Sequence, residues 1–577
     1  MVPRKEAGKS LKRNTLNMKT TRISIRFVLV LALIAASVLR PAAAEECGIA
    51  SAHALATKAG CQILKSGGNA FDAAVAVAAA LAVVEPFASG IGGGGFFLLH
   101  RASDDFEVFV DARETAPSRA TREFFVDDNA MAKQKASLEG PTAAGIPGEP
   151  AALDWVAGHY GKLPLARSLA PAIRLAERGF PADARYVLAS ALREALLKNN
   201  ADAARSFLDD GKAAAAGFVV IQPQLARTLR MLADQGGQSF YHGDFARKLA
   251  QTVKAAGGLW ELSDLEGYRV IERTPVKFTY RGANITTAPL PSSGGLVLAQ
   301  SLFILESVNL AGRSATERAH YAVEAMRRGY HDRARYMGDP DFVAVPVAKL
   351  ASRAYAQRRG ASIDPARATA SSDLAHGAGA ADEGGDTTHF SIIDADGNRV
   401  AATLSVNGPF GSGFVAGDSG VLLNNHMDDF ALVPGVPNLY QLVGSRANAI
   451  EPGKRPLSSM SPTFVEDERG VLVLGTPGGS RIISMVLEGI LDYVDQPQTD
   501  LARLLAAPRF HHQYLPDRIE IEPGGFPDQW VEAMKAKGHA VELGRRKWGN
   551  MQAVFIDKKT GRIETASDPR GQSGVLF

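Results

Sequence analysis

The spacing of apolar residues changes several times along the chain. ASAHALATKAGCQILKSGG (50–68) carries helical periodicity and ends on two glycines. Asn69 then stands as a cap before AFDAAVAVAAALAVVEP, a run so apolar that a helix there must be buried on most sides, and Pro86 stops it. SGIGGGGFFLLH and FEVFVDARETAP alternate like two strands, the first fed by a glycine run. Between residues 150 and 270 the pattern is mainly helical: AALDWVAGHYG, SLAPAIRLAERG, LARTLRMLADQGG and FARKLAQTVKAAGG each place Gly near the end. PVKFTYRGANITTAPLPSSGG returns to strands, and VLAQSLFILESVNLAG and ERAHYAVEAMRRGYHDRARYMG are helical again. A tract rich in Ala, Gly, Asp and Ser, residues 368–386, reads as a linker. Beyond it come short strands, THFSIID, DGNRVAATLSVN, GVLLNN, PTFVEDERGVLVLGTPGG, RIEIEP and NMQAVFIDKKTGRIETASD, interrupted by one helix, RIISMVLEGILDYV. Mixed blocks of this kind predict a layered α+β fold with helices on antiparallel sheets.

At 577 residues, 46% hydrophobic and 22% charged, the chain can build a large core. The N-terminus departs from that composition: a basic approach, an apolar stretch from Phe27 to Leu39 and small residues at Ala42-Ala43-Ala44 read as a secretory signal over residues 1–44. Met18 is an alternative start, and Ala44-Glu45-Glu46 before Cys47 is not a lipoprotein signature. The segment holds nine of the 64 Lys/Arg and one of the 61 Asp/Glu, leaving 55 and 60 and a net charge of −5. The formal positive charge therefore belongs to the signal, and nucleic-acid binding is not indicated. Nothing after the signal has the length of apolar chain a membrane span requires, so the expected location is periplasmic or secreted, with no stable membrane anchor. Cys47 and Cys61 could form one disulfide or remain buried thiols; neither has metal-ligand spacing.

Several motifs fail as chemistry. Gly92–Gly95 lack the Lys-Ser/Thr of a phosphate loop and read as a tight turn beside a crowded site. GDSG at 417–420 runs into VLLNN, the wrong surroundings for a serine protease. His511 and His512 read as strand residues on opposite faces. The junction DTTHFS (386–391) offers more. A threonine hydroxyl needs an adjacent base, and its own α-amino group supplies one once the residue is a chain terminus. A linker delivering Thr387 to the head of a rigid strand suits self-cleavage at Asp386–Thr387, although an ordinary loop-to-strand junction would look the same.

The surroundings of that junction resemble the γ-glutamyltransferase family of N-terminal-nucleophile hydrolases. The resemblance covers nearly the whole chain after the signal, through GGNAFDAAVAVAAALAVVEP, GGGGFFLLH, DARETAP, AAGIPGEPAALDW, LAPAIRLAERGFP, PLPSSGG, DTTHFS, GDSGVLLNNHMDDF, KRPLSSMSPT, GTPGGSR and APRFHHQ. It implies a four-layer αββα sandwich built jointly by a large subunit, 45–386, and a small catalytic subunit, 387–577, with no cofactor or metal. Thr387 is then the nucleophile, moving a γ-glutamyl group from glutathione or a similar amide to water or to an amino-acid or peptide acceptor. Arg113, Ser458 and Ser459 would hold the donor's α-carboxylate, and Asp429 and the Asn407 oxygen its α-ammonium. Gly478 and Gly479 would aim N–H groups at the oxyanion, where losing one donor typically costs about two to three orders of magnitude. Ser405 replaces a supporting threonine and keeps its hydroxyl. His426 stands where the family typically has an acid or amide near the α-ammonium; neutral imidazole accepts from that group and imidazolium repels it. A glutaryl- or cephalosporin-type acylase, or a non-catalytic binding relative, is the alternative. PGVPNLYQLVG (434–444) resembles a lid loop with Tyr440 at its tip.

Overall fold

The computed structural model describes residues 47–571 apart from 130, 309, 311, 375–386 and 497–499. The signal, Asp386 and most of the linker tract lie outside the described residues.

The apolar run after Asn69 forms the helix Ala70–Val84, and every one of its residues is buried. Its start is fixed by reciprocal capping: the Asn69 side chain accepts from the N–H groups of Phe71 and Asp72, both at 3.0 Å, and Asp72 accepts from Asn69 N–H at 2.9 Å. A helix apolar on all sides needs partners on all sides. It packs against the helices Ala54–Lys65, Glu149–Tyr160 and Leu165–Arg178 and against one sheet. Cys47 and Cys61 are joined by a disulfide that ties the entering chain to the Ala54–Lys65 helix.

Among the described residues, twelve strands form two antiparallel sheets of six. In chain order these are β1 (Ile49–Ser51), β2 (Gly94–Arg101), β3 (Phe106–Ala112), β4 (Ile271–Arg273), β5 (Val276–Tyr280), β6 (Ala283–Thr287), β7 (Thr388–Ile393), β8 (Arg399–Ser405), β9 (Thr463–Glu466), β10 (Gly470–Gly475), β11 (Gln552–Asp557) and β12 (Ile563–Ser567). The first sheet runs β1-β7-β8-β2-β3-β4 and the second β12-β11-β10-β9-β6-β5. Alternation along β2 and β3 sorts their side chains between two cores. Phe97, Leu99, Val108 and Val110 face the helices around Ala70–Val84. Phe96, Leu98 and Phe109 face the second sheet through Phe464, Val473 and Val554. The far side of the second sheet is covered by the helices Gly294–Glu306 and Ile482–Asp495. The layers are therefore helix, sheet, sheet, helix.

Two local expectations are corrected. GVLLNN does not form a strand; Gly420 is left-handed (φ +66°) and only an isolated bridge, Val415 to Leu422, survives. The apolar run is buried instead against the glycine turn, where a Cβ on Gly92 would lie 1.9 Å from the Leu422 carbonyl oxygen. The side chain of Asn424 secures this contact by donating to the carbonyls of Gly92 and Gly145 at 2.8 and 2.9 Å. His511 and His512 are not both strand residues either. Strand Phe510–His511 ends at the first, and both rings are buried in hydrogen bonds to Ser484, Gln513 and Asp517. The GDSG segment is a surface turn in which Ser419 Oγ donates to the Ala416 carbonyl at 2.7 Å.

Candidate active site

Thr387 sits at the head of β7, and the register of β7 and β8 decides its neighbour. Thr388 pairs with Leu404, so the next positions outward are Thr387 and Ser405. Their hydroxyls lie 3.2 Å apart, and both residues are buried. Ser405 Oγ also accepts from Asn407 N–H at 2.7 Å. The chain must turn sharply after β8, and Asn407 does so at φ +79°, a conformation Asn tolerates better than most residues. Its Nδ2 donates to the Asn425 carbonyl at 3.0 Å, leaving Oδ1 as the amide end to meet a substrate donor.

Across the cleft, Arg113 follows directly after β3 and is 1% exposed. Its Nη2 pairs with Asp429 Oδ2, its Nε donates to the Pro456 carbonyl at 3.3 Å, and its Nη1 lies 3.7 Å from Glu114. The two groups assigned to opposite ends of an amino acid thus neutralise each other here. Ser458 and Ser459 are set by the loop at residues 289–293: Ser458 N–H donates to the Pro291 carbonyl at 2.9 Å, and Ser293 Oγ donates to the Ser458 carbonyl at 2.7 Å.

Arg333, which sequence reasoning missed, also lines this cleft. It projects from the helix Ala315–Tyr336, donating to Ser293 Oγ at 2.9 Å and to Ser459 Oγ at 3.4 Å. Burial lowers its pKa to about 10. Every residue of that helix from Ala319 to Arg333 is buried, so helical phase alone does not single Arg333 out.

Gly478 (φ +140°) and Gly479 (φ +56°) form the turn that enters the helix Ile482–Asp495. Tyr440 lies directly on it; a Cβ at Gly479 would be 2.2 Å from the ring. The Tyr440 hydroxyl donates to the Asn407 carbonyl at 3.0 Å, and the Tyr440 carbonyl accepts from Gln513 at 3.0 Å. One residue earlier, Leu439 N–H donates to Asp428 Oδ2 at 2.8 Å. Burial pushes the Asp428 carboxyl up to about 7. The loop at 434–444 therefore lies over the cleft, held at its tip.

His426 also lines the cleft. Its Nδ1 is 2.9 Å from Glu114 Oε1, and both side chains are buried. One cleft is lined by Arg113, Thr387, Ser405, Asn407, His426, Asp429, Tyr440, Ser458, Ser459 and Gly479. Gly478 adjoins it, and Asp386 lies outside the described residues. Among the described residues no cluster of three or more His, Cys, Asp or Glu is placed to hold a metal ion.

A hydroxyl pair, an arginine fork, carboxylate and amide acceptors and a glycine turn around one cleft suit acyl transfer from a zwitterionic donor. Known proteins agree with this reading. The Gamma-glutamyltranspeptidase family model matches residues 56–577. The glutathione hydrolase proenzyme of Escherichia coli K12 is 43% identical over 539 residues, covering 92% of each chain. Among solved structures, the cephalosporin acylase from Bacillus halodurans superposes with a TM-score of 0.80 at 28% identity, covering 90% of this chain and 94% of its own. The γ-glutamyltranspeptidase of Helicobacter pylori matches at 39% identity and a TM-score of 0.54, covering 56% of this chain and 92% of its own. The chain belongs to the gamma-glutamyltranspeptidase family.

Proposed function

We propose that this chain is an exported, self-cleaving γ-glutamyltransferase and glutathione hydrolase with Thr387 as its nucleophile. The observation that carries the reading is the buried Thr387 hydroxyl, 3.2 Å from Ser405 Oγ, in the same cleft as the Arg113–Asp429 pair.

Maturation begins with attack of the Thr387 oxygen on the Asp386 carbonyl carbon. The peptide shifts from nitrogen to oxygen, and water hydrolyses the resulting ester, freeing the Thr387 α-amino group. Two associated chains result, 45–386 and 387–577. This agrees with the proenzyme name of the E. coli relative and with a solved H. pylori chain that spans just over half of this one.

In turnover the donor's α-carboxylate takes the guanidinium of Arg113, with Ser458 and Ser459 donating beside it, and its α-ammonium takes Asp429 and Asn407 Oδ1. Each group of the Arg113–Asp429 pair exchanges one opposite charge for another, so neither is left buried and unpaired. The Thr387 α-amino group accepts the hydroxyl proton as the oxygen attacks the γ-carbonyl, and the oxyanion meets the N–H groups of Gly478 and Gly479. That proton leaves with the departing amine. The threonyl ester then passes to water or to an acceptor amine, and Tyr440 screens it from solvent.

A second reading, an acylase for donors without an α-ammonium, is favoured by one observation: His426 and Glu114 face each other beside Asp429. The test of the first reading is the intact mass of the purified protein under denaturing conditions, beside Thr387→Ala. Two wild-type chains, the smaller beginning at Thr387, with the variant left whole, are expected. A single wild-type chain would overturn the assignment.

A further inference from the structure

Arg333 is a buried cation that the steps above leave without a role. It stands on the helix Ala315–Tyr336, is 5% exposed and lines the Thr387 cleft. Arg113, the other arginine there, is matched by Asp429 and lies 3.7 Å from Glu114. Arg333 meets hydroxyls instead. Among the described residues its hydrogen bonds go to Ser293 Oγ at 2.9 Å and Ser459 Oγ at 3.4 Å, and no carboxylate lies within ion-pair distance of it. Burial lowers its pKa only to about 10, so the guanidinium stays charged at neutral pH. A buried charge without a counter-ion is costly, and the cleft therefore carries positive charge that an entering anion would offset.

The serine hydroxyls point to the same kind of ligand. A serine hydroxyl has one proton to give and lone pairs with which to accept. Ser293 uses both: its Oγ accepts from Arg333 Nε and donates to the Ser458 carbonyl at 2.7 Å, while its N–H donates to that carbonyl at 2.9 Å. Ser458 Oγ accepts from Met460 N–H at 3.1 Å, and Ser459 Oγ accepts from Arg333 Nη2. Among the described residues neither of these two hydroxyls donates, so both protons remain available to a ligand that accepts. Accepting from a guanidinium also polarises the Ser459 O–H and makes it a stronger donor. One guanidinium thus bears on both serines, on Ser459 directly and on Ser458 through Ser293.

We propose that Arg333 is a positioning residue for the donor's α-carboxylate: it holds Ser458 in place, keeps the Ser459 hydroxyl proton free to meet that group, and sets behind both a positive charge that Asp429 does not neutralise. The proposal rests on the reading of this cleft as a γ-glutamyl donor site.

The test compares γ-glutamyl anilide with 4-aminobutyryl anilide, the same donor carrying hydrogen in place of the α-carboxylate, on the matured enzyme. In Arg333→Gln the ratio of the two kcat/KM values is expected to fall about 10- to 100-fold, the scale of losing a hydrogen bond to a charged group. The loss should lie mainly in KM, because the carboxylate is held alike before and during attack on the γ-carbonyl. A purely structural role would lower both anilides together, and an unchanged ratio overturns the proposal. Ser459→Ala should cost less selectivity in the Arg333→Gln background than in wild type, and full additivity overturns the coupling through Ser459. Arg333→Lys keeps the charge but has no fork to span Ser293 and Ser459, so it should regain only part of the selectivity. If Arg333→Gln does not mature, Arg333→Lys carries the same comparison: a ratio below wild type supports the proposal and a wild-type ratio overturns it. Titration calorimetry with L-glutamate reads the same contact without turnover, and its affinity should fall by a similar factor in the variant. If the wild type turns over neither anilide, the functional reading fails. Glutamate binding that depends on Arg333 would then still support the carboxylate site, and binding that does not, or no binding at all, overturns it.

Discussion

Gly479 shows how little room a single residue has at this site. Its backbone is left-handed at φ +56°, and a Cβ would lie 2.2 Å from two ring carbons of Tyr440. Gly479→Ala therefore meets two penalties at once, backbone strain and a clash with an aromatic ring. The ring can move only by breaking the Tyr440–Asn407 contact, and any shift of the turn displaces the proposed oxyanion donors. We expect kcat to fall by about two orders of magnitude, the usual scale for losing one oxyanion donor, with maturation into two chains preserved. Single-turnover acylation kinetics check this; an unchanged acylation rate would place the oxyanion site elsewhere. Arg113 makes the complementary point. Its fork is aimed by Pro456 and Asp429, more than 300 residues away in sequence, so the residue type was legible from its motif while its resting partner was not.

At the scale of elements, the loop at 434–444 depends on a few hydrogen bonds. Tyr440 OH to the Asn407 carbonyl joins the lid to the turn that follows β8. Tyr440→Phe removes that bond and keeps the packing on Gly479, so the lid should loosen by about 1 kcal/mol. With the ester less screened, the share of acyl groups lost to water over an added amine acceptor should rise severalfold. Product partitioning at fixed acceptor concentration measures it, and an unchanged ratio would mean that the lid does not control water access. Much at this scale was legible beforehand. The Ala70–Val84 helix and its Asn69 cap followed from an apolar run behind a capping residue, and β7 and β8 as separate strands from THFSIID and DGNRVAATLSVN, though not their pairing. GVLLNN was misread because burial against a glycine turn leaves the same apolar pattern as a ladder of backbone hydrogen bonds. Arg333 was missed because a charged residue in a helix rich in charges reads as solvent-facing until tertiary contacts supply its hydroxyl partners. Pairing across the cleft is a property of the assembled sheets, which local periodicity does not encode.

The whole molecule carries titratable groups whose burial acts in opposite directions with pH. His389, between the two sheets, has both ring nitrogens on hydroxyls, Thr403 at 2.8 Å and Ser391 at 3.2 Å, and burial lowers it to about 3. Burial likewise lowers His511 and His539 to about 3 and His512 to about 4. These rings stay neutral in the folded state while the unfolded chain takes up protons below a pH of about 6.5. Their contribution is present above that value and is lost as the pH falls toward the folded pKa values. Glu149 has the opposite sign. Raised to about 8 by burial first and by Glu114 second, it keeps its proton in the fold when the unfolded chain has released it. Its contribution is present below a pH of about 4.5 and is lost as the pH rises toward 8. Calorimetry of the matured protein from pH 4 to 8 should therefore show Tm falling toward both ends of that range. Glu149→Gln, which cannot ionise, should relieve the alkaline loss alone: its Tm relative to wild type should climb steadily between pH 5 and 8, with the acid limb unchanged. A gap between the two proteins that stays constant over that interval would mean that Glu149 is ionised in the fold. It would then place a second buried negative charge beside that of Glu114, with no cation of its own to offset it among the causes of its shift.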